Sequence, residues 1–594
     1  MAAQARLSVR ERIESDLRMV KAMAKVTPAA ARNRSSSTST VGDRWEEIVD
    51  KHPDRVALID ASDEGRRVTY AELDRMANQV AGWARAQELS RGDVVGLLMM
   101  NRPEYVATWL GLAKLGIVSA LINTNLSGEP LRHSVHVSGA RHLVLDRELA
   151  DRWHSARDDD APTELLFEPG FGAITDHPTD RPDPSLRTGL TCGDRLLYIY
   201  TSGTTGLPKA ASFSHGKFLT VALGAAAMMD IDLDDRTYIT LPLYHTAGGV
   251  MALGGALTTG STAILTRKFS ASRFWDDCVE HQATTFQYIG ELCRYLVNSP
   301  SHPLEADHSL RVCVGNGLRP DVWPEFQERF RIPRIVEFYG ATEGTSSIIN
   351  LDNRVGAIGR MRPRLARRLG MHVVKYDVEA DEIVRDDNGR VVDCDPGEPG
   401  EFISRISNIT PFEGYQDEEA TEKKILRDAF ADGDTYFRSG DLLSQDEDGY
   451  YYFVDRIGDT FRWKGENVST AEVAGELGRC PGVLEANVYG VEVPGADGRA
   501  GMATLVVDDS FDAEALRRHT ADNLPSYARP LFLRIQSEVE ITGTFKHRKI
   551  DSVKEGFDPT EIDDPLWFLD PDAKVYVPLD SALHERIRNG EVRF

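Results

Sequence analysis

Cysteine is scarce and poorly spaced for any shared task. The six cysteines (Cys192, Cys278, Cys293, Cys313, Cys394 and Cys480) form no CxxC pair and no metal-ligand spacing. That pattern excludes a structural zinc site and a disulfide framework, and leaves them as reduced, structural residues. Long apolar runs are missing as well. A membrane-crossing helix needs about 20 consecutive apolar residues. The nearest candidate, Tyr105 to Ile122, is interrupted by Gly111, Lys114 and Gly116 and reads as a buried helix running into a strand. The charged N-terminus lacks the apolar segment of a secretory signal. Basic charge is not in excess either: 69 Lys and Arg stand against 93 Asp and Glu, a formal net charge of -24. A chain of that sign is poorly suited to nucleic acid as its main partner.

What is present is an ordinary globular composition, 41% hydrophobic and 27% charged over 594 residues. It is too long for one core and predicts about three or four structural units. A cytoplasmic location is expected. Residues 1–27 set Ile13, Leu17, Val20 and Ala24 at helical spacing, with six basic residues (Arg6, Arg10, Arg12, Arg18, Lys21, Lys25) against Glu11, Glu14 and Asp16. Such a helix packs on its own protein or lies on a membrane surface; the first is expected. Ala29 to Thr40 reads as a flexible link. From Gly42 the pattern alternates between helical and strand periodicity, as in layered α/β folds. Asp151 to Thr191, polar and rich in Asp and Pro, reads as an irregular excursion.

The chain is organised around Leu197 to Lys209, LYIYTSGTTGLPK. An apolar, aromatic run with the look of a strand empties into hydroxyl residues interleaved with glycine and closed by a lysine. Gly203 and Gly206 let backbone N–H groups turn inward. Thr201, Ser202, Thr204 and Thr205 add hydroxyl donors, and Lys209 supplies a cation, a set that suits a polyphosphate. No GK[ST] follows, so a Walker A loop is disfavoured.

Leu219 to Met229 reads as a helix. The tract from Tyr238 to Thr266 is apolar and Gly-rich, fitting helices packed in a core or lining an apolar tunnel. VCVGNGLRPDVW from Val312 gives a strand and a glycine turn, and VEFYGATEGTSS from Val336 gives a strand ending in a Thr-Glu pair. Residues 355–454 read as a β subdomain.

TSGTTGLPK resembles the signature of the adenylate-forming superfamily, which contains acyl-CoA synthetases, luciferases and the adenylation domains of peptide synthetases. FYGATEG and YFRSGD strengthen the resemblance. It implies an α/β fold: a large N-terminal domain of layered α/β subdomains plus a β subdomain, with a small mobile α+β C-terminal domain. The expected divisions are 1–41 (N-terminal helix and linker), 42–454 (ATP and acid sites) and 455–594 (catalytic lysine).

The resemblance also assigns roles. The loop from Thr201 to Gly206 and Lys209 hold the phosphates of ATP. Gly315, Asn316 and Gly317 border the adenine, and Tyr339 stacks on it. Thr342 contacts the α-phosphate, and Glu343 binds Mg²⁺ with Thr201 sharing the ion. His245 is either a structural histidine or a residue beside the substrate carboxylate. Asp441 takes the ribose hydroxyls, Arg456 makes a second ribose or phosphate contact, and Asp455 is the hinge. Lys546 in ITGTFKHRK is the catalytic lysine, with Lys549 as its competitor.

DRIGDTFRWKGENVST and TGTFK resemble the branch of fatty acid transport proteins and very-long-chain acyl-CoA synthetases. The wider superfamily carries a lysine where this chain has Gly458 and a Gly-Gly pair where it has Lys464-Gly465, so Arg462 and Asn467 inherit no role. The function implied is activation of long- or very-long-chain fatty acids to acyl-CoA through an acyl-adenylate, using ATP, Mg²⁺ and coenzyme A. The alternatives are a fatty acyl-AMP ligase, an aryl acid-CoA ligase, and a non-enzymatic fatty acid binding or uptake protein. A homodimer and peripheral attachment to the inner face of the cell membrane are left open.

Overall fold

Parallel strands covered on both faces need unbroken apolar runs. Val94–Leu98 (VVGLL) is such a run and Val118–Leu121 (VSAL) departs from it only at Ser119, and both are buried at every position. The computed structural model describes residues 6–592 apart from 168–171, 203–206, 379, 408–409, 465, 495–497 and 538–548. The chain divides into two compact units. The first comprises 1–318, 322–359 and 406–425; the second comprises 319–321, 360–405 and 426–594.

The first unit contains two large sheets. One has six strands in the order Thr163–Phe167, His142–Asp146, Val94–Leu98, Val118–Leu121, Arg195–Ser202, Pro208–Ser214. It is parallel except for the final antiparallel hairpin. The other has eight strands, and its parallel part runs Val56–Asp60, Thr262–Leu265, Arg236–Ile239, Thr285–Ile289, Val312–Asn316, Ile335–Gly340. One continuous core joins both sheets through the helices Tyr70–Ala86, Pro103–Ala113 and His215–Met229. Tyr105 to Ile122 is indeed a buried helix running into a strand. The lysine that interrupts it, Lys114, is fully buried against Asp74 (2.7 Å) and Glu46 (3.0 Å), and deleting either carboxylate would strand a buried charge.

Two stretches differ from expectation. The helix Val9–Arg32 takes in the start of the supposed flexible link, as the alanines at 29–31 favour helix. The rest of that stretch is pinned, Ser35 and Ser37 accepting backbone hydrogen bonds from Gly193 (2.8 Å) and Cys192 (2.6 Å). The supposed irregular excursion supplies the strand Thr163–Phe167, in parallel register with His142–Asp146; its run TELLF is long enough to pair.

The second unit carries an antiparallel sheet of Tyr450–Arg456, Thr435–Gln445, Gly400–Arg405 and Met371–Val374, and a five-stranded sheet from Val483–Glu492 to Val575–Pro578. Met502, Leu505, Leu516, Phe532 and Phe568 centre the core of the latter. The boundary read at residue 455 falls inside this unit, at the end of the strand Tyr450–Arg456. Among the described residues, no helix is long and apolar enough to cross a membrane.

Candidate active site

Parallel strands aim their carboxyl ends the same way, and ligands of open α/β sheets collect there. In the eight-stranded sheet, Gly290 follows the strand ending at Ile289, Gly317 follows Asn316, and Thr342-Glu343 follow Gly340. The glycines have packing reasons. Gly317 sits at φ +79°, and a Cβ on Gly290 would lie 1.7 Å from the Gly317 carbonyl oxygen. A Cβ on Gly315 would lie 2.4 Å from the Tyr288 ring. Below this turn Glu337 is buried, accepting from the Leu318 N–H (3.1 Å) and the Tyr288 hydroxyl (2.5 Å). Burial pushes its carboxyl up to about 8.

Tyr339 is half-buried on the strand Ile335–Gly340, paired with Ile348. The Thr342 hydroxyl lies 3.0 Å from that of Thr246, which brings the Thr-Glu pair to the segment of His245. The His245 ring packs on Tyr244 at 4.4 Å between centroids. The apolar tract that follows forms a helical run whose Val250, Leu253 and Ala256 are buried in the core with Phe218 and Ala222.

In the six-stranded sheet, Thr201 and Ser202 end one strand of the hairpin and Lys209 lies on the other, with registers Thr201↔Lys209 and Ser202↔Pro208. Gly203, Thr204, Thr205 and Gly206 lie outside the described residues. A residue that sequence reasoning passed over ties this hairpin to the Thr-Glu pair. Tyr415 donates to Glu343 Oε1 at 2.6 Å, and the neighbouring Thr201 side chain favours the ionised form of the same hydroxyl. Lys209 Nζ stands 5.8 Å from the Tyr415 ring centroid. Burial and the neighbouring Glu343 carboxylate push the tyrosine hydroxyl up, so it remains a donor. Segment 413–416 is fastened along the edge strand Pro208–Ser214: Ser212 N–H donates to Gly414 O (3.0 Å), Gln416 N–H to Ala210 O (3.0 Å), and Ser214 to Glu413.

Lys217 was also missed. Its Nζ is shielded from solvent with no hydrogen-bond partner among the described residues, 4.9 Å from the Phe213 ring centroid. Burial lowers its pKa, and Glu413 and Glu343 oppose that shift.

The oxygen donors of Glu343 and Thr201, both beside Tyr415, fit a hard cation. Among the described residues, no three His, Cys or carboxylate side chains gather as a metal cage. One carboxylate and one hydroxyl, completed by water and phosphate oxygens, is the mode Mg²⁺ favours.

In the second unit Asp441 and Arg456 face each other across neighbouring strands, Nε to Oδ1 3.7 Å. Asp441 follows Gly440, whose φ of +78° turns the strand. Asp455 is buried and accepts from the Thr470 N–H (2.6 Å), the Arg456 N–H (2.9 Å) and the Thr460 hydroxyl (3.1 Å). Burial nonetheless raises its pKa. Lys549 is committed beside it, to the Thr470 hydroxyl (2.6 Å) and Asp459 (3.1 Å). Lys546 lies outside the described residues.

The sequence profile of the AMP-binding enzyme matches residues 45–415, and that of the AMP-binding enzyme C-terminal domain matches 472–546. Long-chain fatty acid transport protein 1 of Mus musculus is 44% identical over 563 residues, covering 92% of this chain and 87% of that protein. Long-chain fatty acid transport protein 2 of Rattus norvegicus is 45% identical, covering 88% and 86%. Among solved structures, a benzoate CoA ligase from Burkholderia xenovorans superposes with a TM-score of 0.72 at 22% identity, covering 86% of this chain and 99% of that one. A Mycobacterium tuberculosis fatty acyl CoA synthetase gives 0.62 at 24%, covering 87% and 98%. The structural likenesses establish the fold, and the closer sequence matches establish descent: the chain belongs to the AMP-binding enzyme family and, within it, to the long-chain fatty acid transport proteins.

Proposed function

We propose that the protein is an ATP-dependent ligase that activates long-chain fatty acids as acyl-adenylates and passes the acyl group to coenzyme A. The observation that carries this reading is the gathering around Tyr415 of Glu343, to which it donates, Lys209, 5.8 Å from its ring, and the neighbouring Thr201. It gathers at the strand ends the oxygen donors and the cation that a metal–triphosphate requires. A protein that only bound fatty acids would have no use for them.

In this reading the hydroxyls of the 201–206 loop and Lys209 take the phosphates. Thr342 donates to the α-phosphate, and Tyr339 and the turn from Gly315 through Asn316 to Gly317 receive the adenine. Asp441, with two acceptor oxygens, chelates the ribose diol, and Arg456 adds a second contact. Glu343 and the Thr201 hydroxyl would hold Mg²⁺, which supplies neutralisation of phosphate charge when bound. His245 stands on the substrate side, next to the segment that contacts Thr342.

The acid needs no general base, because it is already ionised at neutral pH. Its oxygen attacks the α-phosphorus as the bond to the β-phosphate oxygen breaks, and pyrophosphate leaves with the electron pair. Lys546 aligns the two anions and offsets their charge, while the other side chains hold the reacting oxygen and phosphorus in line. Rotation at Asp455 then withdraws Lys546, the coenzyme A sulfur attacks the acyl carbon, and AMP leaves.

Pyrophosphate release with fatty acids of graded length, with and without coenzyme A, tests the reading. Long acids give the fastest release, and sustained turnover requires the thiol. Sustained turnover without it would replace the reading with an acyl-AMP ligase, and a preference for aryl acids would overturn the substrate class.

A further inference from the structure

Buried polar side chains are ordinarily hydrogen-bonded, and the eight-stranded sheet holds an exception. Gln287 is fully buried on the strand Thr285–Ile289, and neither its Nε2 nor its Oε1 has a hydrogen-bond partner among the described residues. Thr285 lies two residues earlier on the same face, and its hydroxyl is satisfied by that of Thr237 at 2.9 Å. Beside Gln287 in register stands Val314, whose cluster includes Ala225, Met228, Met229 and Met251. The amide thus faces an apolar layer that offers it neither donor nor acceptor. Leaving both groups unpaired is costly, and a methionine would fill the place without that cost.

The cover over this amide leads back to the candidate active site. The helical run Thr246–Leu253 packs on the strands Arg236–Ile239 and Thr285–Ile289. It is wound with the wider π spacing, a form that gathers at functional sites. The hydroxyl of its first residue, Thr246, lies 3.0 Å from that of Thr342, and its Met251 belongs to the layer that Gln287 faces. The three methionines make that layer easy to repack, since an unbranched thioether adapts to an irregular neighbour. An acid whose carboxylate lies at Thr342 would therefore run its chain between this helix and the sheet. On that course it passes Gln287, two residues, about 7 Å, below the carboxyl end of its strand. We infer that Gln287 recognises an oxygen substituent, a hydroxyl or carbonyl, on the carboxyl-proximal half of a long-chain acid, donating through Nε2 or accepting through Oε1. The inference rests on the acyl-activating reading and names the preferred substrates within it as oxygenated long-chain acids.

The test is equilibrium binding of palmitic acid and its β-hydroxy and ω-hydroxy derivatives to the full chain, by calorimetry below micelle-forming concentrations, for wild type and Gln287→Met. Wild type binds the β-hydroxy acid about tenfold more tightly than palmitic acid, because that ligand satisfies the amide and palmitic acid does not. Gln287→Met, apolar and of similar length, abolishes the preference and holds palmitic acid at least as tightly. The ω-hydroxy acid, its hydroxyl out of reach, gains nothing from the glutamine. The ratio of kcat/KM for the β-hydroxy and plain acids in pyrophosphate release follows the binding ratio. The ligand-free variant melts at or above the wild-type temperature, as an amide without an internal partner requires. A marked fall in melting temperature overturns the inference, since it gives the amide a structural partner such as a buried water. So does a wild type that does not distinguish the acids, and so does a preference that survives the substitution. Binding needs no turnover, so the two readings fail separately: a preference lost on substitution in a protein that releases no pyrophosphate defeats the catalytic reading alone, and an active enzyme blind to the hydroxyl defeats this inference alone.

Discussion

Glu337→Gln removes a pH dependence from the stability of the first unit. Glu337 is 1% exposed and its carboxyl is held at about 8, against 4.5 for the free group, because burial penalises the charged form. A folded-state pKa above the unfolded one means that stability is present in full below the unfolded value and is lost as pH rises through the folded one. At 1.36 kcal/mol per unit, the loss is under about 1 kcal/mol near pH 5 and about 4 kcal/mol near pH 8. Glutamine mimics the protonated carboxyl, its oxygen accepting from the Leu318 N–H and its amide donating to the Tyr288 oxygen. The assay is urea unfolding of both proteins across that range, followed on the first unit's transition. The variant gains on wild type by about 3 kcal/mol between the two ends. Curves that stay parallel across the range would refute the reasoning.

Tyr415→Phe deletes the hydroxyl that donates to Glu343. A hydrogen bond to a charged group contributes about 1.5–3 kcal/mol, so calorimetry finds Mg·ATP affinity lowered by about tenfold or more and metal-free AMP affinity little changed. Lys546→Ala abolishes adenylate formation but leaves thioester formation from supplied acyl-adenylate largely intact; equal loss of both half-reactions, measured separately, contradicts its role. Gly290→Ala forces a Cβ to 1.7 Å from the Gly317 carbonyl oxygen. It costs about 3 kcal/mol or more, read as a fall in melting temperature, and a variant that melts like wild type contradicts the packing described at this turn.

Much of the fold follows from periodicity. The run at Leu196–Tyr200 is a strand because apolar and aromatic side chains fill a sheet covered on both faces, and the helix Pro103–Ala113 is entirely buried because it is apolar but for Glu104, which pairs with Arg66 at 2.7 Å, and Thr108, which donates to the Glu104 carbonyl. Partnerships across long separations were not legible. Tyr415 sits in a polar stretch, EGYQDEE, that shows neither period; it reaches Glu343 only because residues 413–416 pair with an edge strand some two hundred positions earlier. The sole signal was an aromatic residue among charges. Lys217 lies two residues before the helix read from the sequence and drew no notice; in the structure the helix starts at His215 and packing closes over the lysine. Periodicity identified the N-terminal helix but not the face that docks, since its ties to Asp352 and Asp230 are polar.

The central claim is that the acid captures AMP before it meets the thiol. The most direct measurement supplies a long-chain acid labelled with heavy oxygen in its carboxylate, together with ATP, Mg²⁺ and coenzyme A, and weighs the products by mass spectrometry. The account predicts one labelled oxygen in AMP and none in pyrophosphate. Label in orthophosphate with ADP as the other product, or unlabelled AMP alongside acyl-CoA, would contradict it.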